Sequence, residues 1–336
     1  MITVGKILYI MSDELYLSVD HDSVAIKHGE KILSRIPLIS LSQIIIIAHA
    51  SISEYLISDC NKHRVNISYI SPYGRYIGTF NGKEIGNVTL RMKQYSAYGD
   101  QRRIDIAKNI VLGKTINQMA ILAKYDAKNE KIRKTRNELA KEINVLLDCD
   151  SVEKILGVEG ESASKYFSVF DDILTGCSVE MKFEERSRRP PKNRFNAILS
   201  LLYTIETTTC VAAISAYGLD PYLGFLHEIH PGRESLACDM VEEFRAPVID
   251  AFVLKSVNLK KITAKDFEEN EGIFSLTSDG RKKVLGDWEK FKEEKVYFKL
   301  YDKEVPIKIL PFLQAQLMGQ FLRGDIPEYP PFTDWR

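Results

Sequence analysis

Hydrophobic and polar residues alternate over short stretches of residues 1–90, a period of two that is typical of β-strands. The run 44–47 is continuously apolar, which predicts a strand buried on both faces. Ser53 is placed to cap one short helix over 53–62. The predicted strands cover residues 6–11, 14–19, 23–27, 31–37, 43–48, 66–70 and 74–80.

After Gln94, apolar residues recur at intervals of three and four, which is the period of an α-helix. The segment 124–144 is rich in charged residues and predicts a solvated helix or connecting turn. The segment 196–217 is apolar on nearly all sides, so it predicts a central buried helix that ends at Gly218. Few strands are predicted in this part of the chain.

The change of period divides the chain into two predicted domains. A length of 336 residues can accommodate both, because single cores stop growing near about 250–300 residues. The fold class is therefore predicted to be α+β: a small N-terminal β-domain with one short helix is joined to a larger all-α domain. The predicted boundaries are 1–90 for the β-domain, 91–102 for the linker and 103–336 for the α-helical domain.

Composition narrows the class of protein without identifying it. The formal net charge is zero, so a nucleic-acid partner would require a local basic surface. Five cysteines without a CxxC spacing indicate reduced thiols in a cytoplasmic protein. Residues 1–11 are too short and too sparsely basic for a signal peptide. Glu206 and four threonines within 196–217 argue against a membrane span, so no membrane association is expected.

Three polar residues, Glu159, His227 and Glu242, stand in otherwise small or apolar stretches. They supply two carboxylates and one imidazole, a ligand set that suits a hard or borderline divalent cation. Each of these residues could instead have a purely structural role. Gly157 and Gly160 around Glu159 indicate either close approach of a backbone or phosphate, or only tight helix packing. His227 can be a core histidine bonded to a carbonyl, and Glu242 can lie on a solvated helix face.

Other residues near Glu242 add to the chemistry of this predicted helix. Asp239 is an additional candidate acid, and Arg245 is expected either to hold a phosphate oxygen or to pair with Glu242. Pro247 lacks an N–H group, which frees the carbonyl of Glu243 and predicts a kink beside the acids.

The segment 182–194 is the strongest local basic feature, with six basic and two acidic residues. It predicts either a solvated loop or a track for the DNA backbone, since phosphate contacts position DNA without reading its bases. The residues considered for DNA contact are Arg186, Arg188, Arg189 and Lys192.

Several short motifs occur along the chain in the same order as in a known protein family. They are Ala107 to Lys114 with Asn117, GVEG at 157–160 with Tyr166-Phe167, Asn196-Ala197 before a long apolar helix, Gly218 to Pro221 with GFLH at 224–227, and the acidic helix 239–245. This order resembles the CRISPR adaptation integrase family, CRISPR-associated protein one. The resemblance covers roughly residues 100–258.

The resemblance implies roles for the candidate residues. Glu159, His227 and Glu242 would be the catalytic residues and would bind Mg²⁺ or Mn²⁺. Asp239 would be either a further ligand or an acid that supports one. With a metal site nearby in the sequence, the basic segment 182–194 is expected to contact phosphates.

The resemblance also implies a function. The protein would be a metal-dependent DNA endonuclease and integrase of CRISPR adaptation, part of antiviral defence. It would insert short fragments into the CRISPR array when a 3′-hydroxyl attacks a phosphodiester. Expected partners are double-stranded DNA, a second copy of the chain bound through the β-domain, and CRISPR-associated protein two.

Two alternatives remain open at the level of sequence. One is a stand-alone metal-dependent DNA endonuclease that uses water as the nucleophile at the same site. The other is a non-enzymatic DNA-binding scaffold whose acids are structural. Joined DNA products would exclude the first, and activity that is insensitive to chelators would favour the second.

Overall fold

The chain folds into two units, which comprise residues 1–86 and 87–336. The computed structural model describes residues 6–71, 76–80, 87–127, 129–176, 178–187 and 190–333. The class is mixed α and β: the first unit is rich in strands and the second is mainly helical, as the two periods predicted.

The described part of the N-terminal unit forms two four-stranded sheets and one helix. The elements are β1 (Lys6–Ile10), β2 (Leu15–Asp20), β3 (Ser23–His28), β4 (Lys31–Pro37), β5 (Leu41–Ile46), β6 (Ala50–Ile52), α1 (Glu54–His63), β7 (Asn66–Ile70) and β8 (Tyr76–Phe80). One sheet has the order β1-β5-β7-β8, in which β1, β5 and β7 are parallel and β8 is antiparallel. The other has the order β4-β3-β2-β6, in which only β6 pairs in parallel.

Most predicted elements of this unit are present. Ser53 caps α1 by accepting the N–H of Leu56, as predicted. The run Ile44, Ile45, Ile46 and Ile47 is at most 1% exposed, because β5 lies between β1 and β7 and is covered on both faces. The three-residue strand β6 was missed, since so short a run carries no period. The first two residues of the predicted strand 74–80 lie outside the described residues.

The second unit is built mainly from helices. Its elements are α2 (Val88–Tyr98), α3 (Gln101–Ala123), α4 (Glu130–Leu147), α5 (Val152–Ser168), α6 (Phe170–Ile173), α7 (Arg194–Ala216), α8 (Ser235–Phe244), α9 (Ala251–Asn258), β9 (Phe267–Asn270), β10 (Ile273–Leu276), α10 (Ser278–Lys292), β11 (Lys295–Phe298), β12 (Lys303–Pro306) and α11 (Leu310–Arg323).

Two predictions for this unit were wrong. Helix α2 occupies most of the predicted linker 91–102; Asn87 caps it by accepting the N–H of Leu90. The unit is also not all-α, because β9 pairs with β10 and β11 pairs with β12 as antiparallel hairpins. The turn of the first hairpin has positive φ at both Glu271 and Gly272, the conformation favoured in two-residue hairpins. The turn residues are Glu-Gly, whereas the sequence pattern that usually predicts such a turn is Asn-Gly, so the hairpin was not predicted.

Helix α7 is the predicted central helix. Asn193 caps it by accepting the N–H of Asn196. By length and composition the helix could cross a membrane, but 78% of its most apolar window is buried inside the fold. It is therefore placed as the core helix of the second unit.

Pro247 produces the predicted irregularity after α8. The segment Arg245–Asp250 is a π-helix, a form that often marks functional positions. The carbonyl of Glu243 is freed as predicted, and the side-chain amide of Asn117 on α3 donates to it at 3.0 Å. This bond ties α3 to α8 at the point where the backbone pattern changes.

A C-terminal segment, residues 329–333, packs between α3 and α8. Asn109 and Asn117 on α3 donate to the carbonyls of Tyr329 and Phe332, at 2.8 and 2.7 Å. A Cβ at Gly113 would lie 2.9 Å from the side chain of Pro331, so only glycine leaves room for the segment. We call residues 329–333 the C-terminal strap.

The burial of Glu206 on α7 makes the stability of the folded protein depend on pH. Burial raises its pKa to about 7, although Lys292 opposes the shift. The folded pKa thus exceeds the ordinary glutamate value of 4.5, so the contribution of Glu206 to stability is full below pH 4.5 and is lost as pH rises through about 7. We expect Glu206→Gln to become more stable relative to the parent between pH 5 and pH 8, by on the order of 3 kcal/mol.

Urea denaturation of both proteins at several pH values measures this difference. Glu289→Gln, at a nearby residue that is one-third exposed, is the control and should show a much smaller trend. A stability difference between Glu206→Gln and the parent that does not change with pH would contradict the prediction.

Candidate active site

Lys114 connects the helices that carry two of the predicted ligands. It lies on α3, and its Nζ contacts Oε1 of Glu159 on α5 and, at 2.7 Å, Oε2 of Glu242 on α8. The Lys114 side chain is only 5% exposed, and a buried ammonium group requires compensating charge. Since both oxygens contact one nitrogen, two carboxylates far apart in sequence lie within two hydrogen-bond lengths of each other.

Glu242 is ionised although it is buried. Burial alone would raise its pKa, but Arg245, Lys114 and His227 outweigh that effect and lower the pKa to about 2. Nη1 of Arg245 lies 2.7 Å from Oε1 of Glu242, three residues away on the same helical path. Of the two roles considered for Arg245, the structure shows the pairing with Glu242.

His227 is held in place by Asp239. Oδ1 of Asp239 lies 2.7 Å from Nδ1 of His227, and the same carboxylate accepts the backbone N–H groups of Phe225, Leu226 and His227. In the neutral tautomer that fits this contact, the Nδ1–H group donates a hydrogen bond to the carboxylate and Nε2 is left as the acceptor. Asp239 therefore orients His227. The partner is a carboxylate and not the carbonyl that the core-histidine alternative supposed.

Gly224 allows this loop to approach α8. A Cβ at this position would lie 2.8 Å from Oδ2 of Asp239 and 2.8 Å from two atoms of Ser235. Without a side chain, the loop backbone comes close enough for three successive N–H groups to reach Asp239. The GFLH motif begins with glycine for this steric reason.

The three acids of α8 are buried and have different partners. Asp239, Glu242 and Glu243 are 0%, 2% and 0% exposed, so the alternative of a solvated helix face is wrong. Glu243 faces the C-terminal strap, where the hydroxyl of Tyr329 and the N–H of Phe332 bond to its carboxyl group. Burial raises the pKa of Glu243 to about 8. Two adjacent glutamates thus differ in charge at neutral pH.

The glycines around Glu159 leave open space. Within the described residues, no atom beyond the neighbouring backbone lies within 4 Å of a Cβ built at Gly157 or Gly160. The alternative of tight helix packing is therefore wrong. The Glu159 side chain is 19% exposed, compared with 3% for Glu242, so the site opens on the Glu159 side.

Arg186 faces the interior of the helical unit. Its Nη1 donates to Oδ1 of Asn196 at 2.8 Å, and its guanidinium carbon lies 5.3 Å from the centre of the Tyr203 ring. Arg245 lies 4.8 Å from the same ring, and the Tyr203 hydroxyl donates to Asp250 at 2.6 Å. Arg186 thus supports the packing around Arg245. This position differs from the DNA contact considered for it.

Of the other basic residues considered for DNA contact, the structure describes one. Lys192 is exposed on the segment before α7. Arg188 and Arg189 lie outside the described residues. Lys192 therefore remains the described candidate for a phosphate contact.

Sequence reasoning missed the role of Lys114. The motif that contains Lys114 does not indicate this role, but the helical period does: Lys114 follows Ile110 by four positions and Val111 by three, so it lies on the apolar stripe of α3. A lysine at such a position is buried, and a buried lysine requires acidic partners.

The donor groups suit a divalent cation, although within the described ranges no three His, Cys, Asp or Glu side chains stand together in a metal-binding arrangement. Lys114 places a positive charge between the two glutamates, where a bound cation would also place one. Oε2 of Glu242 is buried and, despite the 2.7 Å ion pair, makes no hydrogen bond of good geometry. With Glu159 and Nε2 of His227, it provides the oxygen and nitrogen donors that Mg²⁺ or Mn²⁺ accepts.

Comparisons with known proteins agree with the motifs. The family model described as CRISPR associated protein Cas1 matches residues 8–290. A Chlorobaculum tepidum protein named CRISPR-associated endonuclease Cas1 1 is 36% identical over 337 residues, which is 98% of each chain. A solved CAS1 protein from Thermotoga maritima has a TM-score of 0.84 at 24% identity and covers 98% of this chain and 100% of its own. A casposase bound to integration product has a TM-score of 0.84 at 25% identity, with 98% and 93% covered.

Replacing Gly224 by alanine should destabilise the protein by about 1–3 kcal/mol, because the added Cβ would overlap Asp239 and Ser235. Chemical denaturation measures the loss. Gly160→Ala is the matched control: it adds the same methyl group to a helix with open space, so it should be neutral or stabilising by up to about 1 kcal/mol. Equal effects of the two changes would show that the loop does not depend on this contact.

Proposed function

This chain belongs to the family of CRISPR-associated protein Cas1, and we propose from that premise that it is a metal-dependent DNA nuclease and integrase of CRISPR adaptation. One observation carries the proposal: Glu159 and Glu242, from separate helices, converge on one positive charge. His227 is oriented by a buried carboxylate in the same site. The Chlorobaculum tepidum relative is named an endonuclease, and the casposase of similar fold is bound to an integration product. Both descriptions support phosphodiester chemistry.

Glu159, His227 and Glu242 would hold the cation, either Mg²⁺ or Mn²⁺. When bound, the cation would polarise phosphoryl oxygens and stabilise the charge that develops during phosphoryl transfer. The imidazole of His227 favours Mn²⁺ in the test tube, because Mg²⁺ prefers all-oxygen ligands.

The proposed reaction is a transesterification. The oxygen of a DNA 3′-hydroxyl bonds to the phosphorus of a repeat phosphodiester, and the bond from that phosphorus to the leaving oxygen breaks. The attacking hydroxyl loses a proton and the leaving oxygen gains one. No protein group bonds to phosphorus, so the chain contributes mainly by positioning. Asp239 fixes the ring of His227, and Arg245 helps to keep Glu242 ionised.

The partners are proposed from the same family membership. DNA phosphates would approach the open side of the site near Glu159, and Lys192 would add a backbone contact. A second copy would bind through the N-terminal unit, where β4 is a mostly exposed edge strand and Leu33 on it is 53% exposed. CRISPR-associated protein two would complete the complex.

Substitution of the proposed ligands tests the function. We expect Glu159→Gln, His227→Ala and Glu242→Gln each to reduce metal-dependent strand transfer roughly 100-fold or more, because a site with two ligands holds the cation too loosely. Glutamine retains an oxygen for Lys114, which limits damage to the fold. Asp239→Asn should cost about 10–100-fold, since the residue acts through His227.

The assay supplies fragment and array DNA with Mn²⁺ and resolves joined products from cleaved ones. Glu161→Ala is the control, because this glutamate lies on the same helix but is 59% exposed. Full activity in Glu159→Gln would refute the assigned site. Cleavage without joining would favour the stand-alone endonuclease, and products formed equally in excess chelator would exclude metal dependence.

The role of the basic segment 182–194 in DNA binding can be tested through the salt dependence of DNA affinity. Replacing Arg188, Arg189 and Lys192 together by glutamine should weaken DNA binding for all sequences alike and reduce the slope of log affinity against log salt by up to about 3. Arg186 is left intact because of its packing role. Replacing Lys255, Lys282 and Lys290 together by glutamine removes the same number of charges at lysines that are more than half exposed, and this variant controls for net charge. An unchanged slope would mean that the segment is only a solvated surface.

A further inference from the structure

Lys114 contacts the two carboxylates that the proposed function assigns to the metal. Its ammonium group reaches Glu159 and Glu242 together and is almost fully buried. The other described cation at Glu242 is Arg245, which takes the opposite oxygen, Oε1. Two carboxylates are thus balanced by two basic side chains.

A divalent cation and the Lys114 ammonium group need the same oxygen atoms. Oε2 of Glu242 faces Lys114, and Oε1 of Glu159 contacts it as well. A cation bonded to both carboxylates would repel an ammonium group left at hydrogen-bond distance. Lysine can leave because its charge is compact and its four-carbon stem is flexible, whereas the planar Arg245 remains on Oε1.

The displaced ammonium group requires another anion, because an unpaired charge in a site this enclosed is costly. A DNA phosphate is the anion that the proposed reaction brings to this place. The stem of Lys114 starts from a buried helix face, so its reach is confined to the site.

We propose that Lys114 is a positioning residue that competes with the divalent cation for Glu159 and Glu242 and pairs with a DNA phosphate once the cation has displaced it. This inference rests on the proposed function, since it requires both the cation and DNA. Its consequence is that metal and DNA strengthen each other's binding through Lys114. The coupling must be reciprocal, because it is a property of binding free energies.

The experiment measures Mn²⁺ binding to the full chain by electron paramagnetic resonance, with and without a DNA duplex. Lys114→Met removes the competing charge, so it should bind Mn²⁺ alone roughly tenfold or more tightly than the parent. DNA should raise Mn²⁺ affinity in the parent by a larger factor than in Lys114→Met. A residue with only a structural role would not change that factor.

Lys108→Met is the matched control: it removes the same charge from the same helix, where Lys108 donates to the carbonyl of Leu147 away from the two glutamates. Its Mn²⁺ affinity should match the parent. Lys114→Gln is measured in parallel, and it replaces Lys114→Met if circular dichroism shows that the methionine variant is unfolded. Glutamine is also uncharged, so it should show the same gain in affinity.

The outcomes separate the two proposals. If Mn²⁺ binding does not respond to Glu159→Gln and Glu242→Gln, the proposed metal site fails. If it responds to both, but the Lys114 variants bind Mn²⁺ as weakly as the parent or more weakly, the competition proposed for Lys114 is overturned. Equal enhancement by DNA in the parent and in the Lys114 variants would overturn the coupling.

Discussion

The ammonium group of Lys114, enclosed by protein and shared between two carboxylates, sets the relative positions of three helices. Because it is buried on α3, both Glu159 on α5 and Glu242 on α8 must reach it. Glu242 then carries a charge away from water, and Arg245 supplies the second cation that this charge requires. The arrangement of the site thus satisfies charge neutralisation in an enclosed space.

The same constraint explains how adjacent acids on α8 take different roles. Glu242 faces three basic groups and is ionised, whereas Glu243 faces Tyr329 and a backbone N–H and holds its proton to about pH 8. Asp239, one turn earlier, accepts three backbone N–H groups as well as the ring of His227. Each acid is fixed by donors from a different part of the chain. One helix thereby contributes a proposed metal ligand, an acid that orients another ligand, and an anchor for the C-terminal strap.

Much of the fold was predictable because local patterns decide it. The alternation in residues 1–90, the cap at Ser53 and the apolar length of α7 all act within a few residues. The hairpin at Glu271 and Gly272 was not predictable in this way, because its turn lacks the usual residues. Pro247 predicted that the carbonyl of Glu243 would be freed. It did not predict the donor, since Asn117 lies 126 residues away.

The candidate site shows the same division. Glu159, His227, Glu242 and Asp239 were proposed as site residues from motifs. Their contacts depend on which helices meet, and no single segment of the sequence specifies that. Lys114 is the clearest case: its burial was readable from the period of α3, whereas its two partners belong to helices that only the tertiary fold brings together.

The C-terminal strap has a consequence for the order in which the molecule matures. Tyr329 binds Glu243 from 86 residues further along the chain, and Asn109 and Asn117 bind the same strap from α3. Helices α3, α5 and α8 are therefore synthesised well before the segment that packs between α3 and α8. Until residues 329–333 emerge and dock, the carboxyl group of Glu243 lacks the donors Tyr329 and Phe332. The nascent protein thus carries every proposed catalytic residue before the carboxyl group of Glu243, next to Glu242, gains these donors.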